Sequence, residues 1–127
     1  MASGHKDWAT KQAGRYTNIT YTLDTENYDQ TLFTVSANST FYMTSAYLSA
    51  LNQSGANALS AMFIKSSTGA IYSYLNQFIL PDNGYMSLPQ FFTLPYEIPS
   101  LYEVHIWSTA VALYVYGSVT GYEILET

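Results

Sequence analysis

Residues 58–65 (ALSAMFIK), the link Ser66-Ser67-Thr68-Gly69 and residues 70–75 (AIYSYL) decide the fold class of this chain. Taken alone, the apolar run 59–64 is compatible with one short helix. A four-residue link containing Gly, leading into a second run of β-branched and aromatic residues, is instead the grammar of a β-hairpin. Strands are therefore expected on both sides of it.

Downstream, Leu80-Pro81-Asp82-Asn83-Gly84 is the clearest turn, with Pro setting φ and Gly expected to supply a positive φ. Residues 85–99 carry Pro89, Pro95 and Pro99. Proline cannot donate to a ladder, so strands here should be short or lie at a sheet edge. Residues 102–108 (YEVHIWS) alternate, with Tyr102, Val104 and Ile106 on one face and Glu103, His105 and Trp107 on the other. Residues 111–125 repeat the alternation through Val111, Leu113 and Val115, with Gly117 and Gly121 expected to allow bends or bulges.

Upstream, residues 40–51 (TFYMTSAYLSAL) are apolar on both faces, as a central strand requires. Asn38-Ser39 turns into that run from the strand-like residues 31–37 (TLFTVSA). Residues 16–23 (YTNITYTL) alternate weakly and lead into a polar loop at 24–27, and residues 52–57 (NQSGAN) form another loop. Eight or nine short strands, with no amphipathic helix and no βαβ alternation, predict an all-β chain: a jelly-roll-like antiparallel β-sandwich of about eight strands. An immunoglobulin-like sandwich fits less well, because the Cys–Trp–Cys pattern is absent.

Residues 1–14 (MASGHKDWATKQAG) show neither period and are expected to form an extended N-terminal arm before a sandwich domain at 15–127. Within the arm, Trp8 is costly to leave in water. Residues 1–15 hold Lys6, Lys11 and Arg15 against Asp7, whereas residues 16–127 hold Lys65 against eight acids. A basic arm thus precedes an acidic body. Nucleic acid is not expected as a direct partner of that body, since phosphate binding depends on Lys and Arg.

Charged residues make up 10% of the 127 residues and aromatics 17%, with 13 Tyr; about 25% charged is usual. The surface must then be largely Ser, Thr, Asn, Gln and Tyr. Neutral groups repel neighbouring copies less than like charges do, and Tyr is enriched where proteins meet. The composition is that of a surface made to be covered. Absence of Cys removes disulfides, thiolate metal sites and a Cys nucleophile. No apolar signal-peptide core and no run near the roughly 18 apolar residues of a membrane helix occurs, so no membrane partner is expected.

The inventory for catalysis is thin, and no enzyme, metal site or cofactor is expected. His5 lies in the arm and His105 in a strand, where an ordinary half-buried imidazole is the simplest expectation. Asp24, Glu26 and Asp29 cluster as a loop of carboxylates, but without the Gly and terminal Glu of an EF-hand loop. Glu97, Glu103, Glu123 and Glu126 are expected on separate strands. Phosphate-cradling glycine motifs and Gly-x-Ser-x-Gly are absent. Sequons at Asn18, Asn38 and Asn52 serve only as loop markers. Exposed aromatics could stack on sugars, so a carbohydrate-binding β-sandwich module, virion- or tail-associated, is the alternative expectation.

Three segments in order, TFYMTSAYLSA at 40–50, LPQFFTLPYEIP at 88–99 and VTGYEI at 119–124, resemble the small jelly-roll structural proteins of tailed bacteriophages, including head decoration (cement) proteins. That resemblance implies a virion component on the capsid surface, assembled in the host cytoplasm. It also implies self-association, commonly as a homotrimer, with the major capsid protein as partner and an N-terminal arm reaching a neighbour. In the arm His5, Lys6, Trp8, Lys11 and Arg15 are the expected contact residues, Trp8 as a buried plug and the cations against acids of a neighbour.

Overall fold

The computed structural model describes residues 18–25, 29–109 and 113–126. Eight strands follow in order: β1 (Ile19–Thr25), β2 (Asp29–Thr34), β3 (Ser39–Asn52), β4 (Ala58–Lys65), β5 (Ile71–Leu80), β6 (Tyr85–Ile98), β7 (Glu103–Ser108) and β8 (Leu113–Leu125). They form two four-stranded antiparallel sheets, β1-β8-β3-β6 and β2-β7-β4-β5. This is the two-sheet, double Greek-key arrangement of a jelly roll.

Period-two alternation supplies the core. From β3 come Phe41, Met43, Leu48 and Ala50, from β4 Met62 and Ile64, from β7 Val104 and Ile106, and from β8 Leu113, Val115 and Val119, all buried. Each large apolar side chain so placed contributes about 1.5–3 kcal/mol by leaving water. At one end of the sandwich Tyr21 of β1 stacks on Phe33 of β2, with ring centroids 4.2 Å apart, and Phe33 meets Phe41 of β3 at 4.9 Å. The three rings bridge the two sheets.

The hairpin at 66–69 forms as its sequence requires: Gly69 has a φ of 90° and donates to the Ser66 carbonyl at 2.9 Å. Residues 59–64 are strand, because β4 is paired on both sides, with β5 and with β7. As its apolar character requires, β3 is central, between β8 and β6.

Several expectations are corrected by long-range pairing. β6 does lie at a sheet edge, but it is 14 residues long. It tolerates Pro89 and Pro95 because its outer side needs no donors, and residues 92–95 bulge out opposite Thr44 alone. β5 continues past residue 75 to Leu80 because β4 offers partners along that length. Asp24 and Thr25 prolong β1 by pairing with β8 instead of opening a loop. In the turn after Leu80, Asn83 takes the positive φ, 63°. Gly84 is needed for closeness, since a Cβ there would meet the Pro81 ring at 2.8 Å and the Pro81 carbonyl at 2.9 Å. Gly117 and Gly121 likewise mark close packing across β8, and the expected bulge lies on β3, where Thr44 is the extra residue opposite Gly121 and Thr120.

Candidate functional site

Two features stand out on the surface, a charged cluster with its hollow and an apolar flank. On the outer face of the second sheet, β7 presents Glu103, His105 and Trp107, β4 presents Phe63 and Lys65, and β2 opens with Asp29. The imidazole of His105 is 5% exposed, buried and not half-buried. Its Nδ1 lies 2.7 Å from Asp29 Oδ1 and its Nε2 2.7 Å from Glu103 Oε1. Only a ring with a proton on each nitrogen donates to both carboxylates at once. Phe63 stacks flat against it, with centroids 5.4 Å apart and planes 17° apart.

Lys65 donates to Asp29 Oδ2 at 3.2 Å and lies 5.8 Å from the Phe63 ring centroid. Asp29 therefore does not belong to a solvated acidic loop with Asp24 and Glu26: it starts β2, and His105 and Lys65 hold its two oxygens. Burial would raise the Asp29 carboxyl. The hydrogen bonds from His105 and Lys65, and then the two positive charges, outweigh burial and leave it below the ordinary carboxylate range.

A depressed folded value contributes stability above the unfolded value of about 4 and loses it as pH falls through the folded one. Urea denaturation of the natural chain and of Asp29→Asn between pH 6 and 2.5 is expected to converge below about pH 4, the variant losing less with acid. Parallel pH curves would refute the assignment.

As a catalytic device this cluster is closed. Both nitrogens of His105 are occupied, by Asp29 and Glu103, so it has none to offer a substrate. Glu97 and Glu103 lie on different sheets, and Glu123 and Glu126 follow one another along β8 and its end, contrary to four separate strands. Among the described residues no group of three His, Asp or Glu is placed to hold a metal ion. No helix among them is long and apolar enough to cross a membrane.

Next to the cluster is a hollow of about 260 Å³ lined by Asp29, Phe63, Lys65, Ile71, Tyr74 and Trp107. The outer face of the first sheet is hydroxyl-rich. There Tyr42 and Tyr122 stack at 5.4 Å and Tyr47 meets Tyr116 edge-on at 6.0 Å. Hydrogen bonds from Ser87, Tyr85 and Ser49 lower the Tyr47 phenol below its ordinary value.

The apolar flank follows from the strand order. β5 and β6 are each one of the two edge strands of their sheets, and they lie on the same side of the sandwich, with the other edges, β1 and β2, opposite. Of the eleven large apolar side chains exposed among the described residues, β5 carries Ile71, Tyr72, Tyr74 and Ile79, and β6 carries Tyr85, Phe91 and Leu94. Phe91 is 81% exposed. β5 has no charged residue and β6 only Glu97, so the lysines that usually guard a free edge are missing. On the opposite side, β1 and β2 expose Thr20, Thr22, Asp29, Thr31 and Thr34.

The arm residues His5, Lys6, Trp8, Lys11 and Arg15 lie outside the described residues, as does Glu26. The Asp29–Lys65 pair had a readable signal, because Lys65 is the lone Lys or Arg after residue 15 and a half-buried cation needs an acid. The flank had none, since nothing local says which edges stay free.

No protein-family model matches the chain, and no match among curated proteins reaches significance. Solved structures do match. A pentameric capsid protein from metagenomic phage sequences superposes with a TM-score of 0.51 at 16% identity, over 96% of this chain and 82% of that one. What they share is the fold. Another structure described as a pentameric capsid protein from metagenomic phage sequences gives 0.48 at 19% identity, and this chain spans 59% of its length while 81% of this chain is covered. The C-terminal family 22 carbohydrate-binding module of Clostridium thermocellum Xyn10B gives 0.46 at 12% identity over 86% of each chain.

Proposed function

We propose that this chain is a viral structural protein, a decoration or cement protein of a phage head, that assembles with copies of itself through the β5/β6 flank. The observation that carries this reading is the flank: two long free edges, apolar and aromatic, without a single lysine. An exposed surface of that kind marks an interface, or else a liability that natural proteins avoid. The opposite side is polar, so a ring is built by the flank meeting a different surface of the next copy, a heterologous contact whose rotation closes, whereas flank-on-flank contact stops at a dimer.

The jelly roll shared with a pentameric phage capsid protein supports such a use. Three copies, as the decoration-protein resemblance implies, and five, as in that capsid protein, are the ring sizes to be distinguished. Residues 1–14 serve as an arm reaching the major capsid protein or a neighbouring copy, with Trp8 as its plug and His5, Lys6, Lys11 and Arg15 around it. Tyr72, Tyr85 and Phe91 lie exposed along β5 and β6 outside the hollow, which favours assembly over a carbohydrate-binding module as the main role.

Size-exclusion chromatography with light scattering tests the reading. The full chain is expected as a closed oligomer, Phe91→Asp as a folded monomer, and the chain without residues 1–14 as an oligomer that holds particles less tightly. A natural chain that stays monomeric at high concentration would end the proposal.

A further inference from the structure

The hollow beside His105 shares Ile71 and Tyr74 with the β5/β6 flank, but its Asp29–Lys65 pair and Trp107 have a chemistry that self-assembly does not use. We propose that it binds a single neutral pyranose ring, such as the terminal sugar of a glycan. This goes beyond the assembly reading and does not depend on it.

Size is the first argument. A volume of about 260 Å³ falls just under the roughly 300 Å³ at which sites for drug-sized ligands begin. One sugar ring fits, with the rest of a glycan left in solvent.

The lining is the second. Trp107 from β7 and Tyr74 from β5 bring two aromatic rings to one concavity, with the buried Phe63 of β4 in its lining. A pyranose has a face of C–H groups that stacks on such rings and a rim of hydroxyls that needs polar partners. Asp29 and Lys65 supply them. Each Asp29 oxygen accepts one hydrogen bond, from His105 or from Lys65, and so keeps lone-pair capacity. The Lys65 ammonium uses one of its three N–H groups on Asp29. Acceptors and donors thus stand side by side, the pairing a hydroxyl satisfies in both roles.

Charge is the third. Asp29 is paired with Lys65, and His105 lies between Asp29 and Glu103. An anion arriving here competes with Asp29 for Lys65, and a cation competes with Lys65 for Asp29, each giving up an existing pair. An apolar side chain from another copy would strip water from both ions without replacing its hydrogen bonds. A neutral polyol avoids all three losses.

Saturation-transfer NMR on the full chain with the methyl glycosides of glucose, galactose, mannose and N-acetylglucosamine, beside a glycan array that includes sialylated sugars, tests the inference. At least one neutral sugar is expected to bind. Its affinity should fall roughly two- to tenfold in Trp107→Ala and in Tyr74→Ala, the loss of one stacking contact. Tyr74 is half exposed, so its replacement leaves the core intact even if the Trp107 variant is destabilised. Phe91→Asp should bind as the natural chain does, whatever it does to assembly. No neutral sugar bound, binding unchanged in Tyr74→Ala, or binding of sialylated glycans alone would each overturn it.

Discussion

Gly121→Ala is expected to destabilise the sandwich by about 3 kcal/mol, at the upper end of what overpacking a core does. A Cβ at this position in β8 would run into the carbonyl oxygen of Tyr42 and come within 2.8 Å of two ring carbons of Phe41. Neither neighbour has room to give. The Tyr42 backbone belongs to β3, which is laddered on both sides, and Phe41 is fully buried against Phe33. Gly117→Ala is the matched control. Its Cβ would meet the Ile106 and Met62 side chains and no backbone, so the core has side chains to shift in place of a laddered strand, and a smaller cost, about 1–2 kcal/mol, is expected. Urea denaturation of the two variants checks the order. If Gly117→Ala proved the costlier change, the packing across β8 would be misassigned.

Asn52→Ala should cost a similar amount, roughly 2–4 kcal/mol, by a different mechanism. Asn52 ends β3 with no exposed surface, yet it is polar. Its Nδ2 donates toward the carbonyls of Ala56 at 2.7 Å, Leu80 at 3.0 Å and Pro81 at 3.1 Å. Its Oδ1 accepts from the Ser54 backbone N–H at 3.0 Å and the Ser54 hydroxyl at 2.7 Å. One amide therefore ties the end of β3 to the 53–57 loop and to the turn after β5. Alanine takes a donor from three carbonyls, of which Ala56 and Pro81 keep one from the Ser54 hydroxyl and the Gly84 N–H, and takes the acceptor from Ser54, whereas an apolar core position would lose only packing.

Asn52→Asp keeps the shape and removes the donors, so it should be at least as damaging at neutral pH. Faster amide exchange at residues 53–57 and 81–84 in the alanine variant, with β4 and β7 less affected, is the accompanying signature. A variant as stable as the natural chain would show that water replaces the amide. The same burial means that the sequon at Asn52 marks a structural hub and not an accessible loop.

Much of the architecture was legible because it is local. Alternation in residues 102–108 placed Val104 and Ile106 inward and His105 and Trp107 outward. Gly69 placed a hairpin, the prolines of β6 placed an edge, and the two-faced apolar run of β3 placed a centre. These inferences need only the pleat and the φ preferences of Pro and Gly.

What could not be read depends on partners far away along the chain. The pattern of a strand tells which face is wet but not which neighbour it has. The choice of β5 and β6 as free edges on one side, and with it the apolar flank, arises only when eight strands compete for pairing. Asp29 meets His105 across 76 residues of sequence, and Gly121 is glycine because of a carbonyl on β3. Composition announced a surface rich in Tyr and poor in charge; three-dimensional pairing chose where its apolar part lies, because side-chain periodicity is a property of one strand and exposure is a property of the whole sheet.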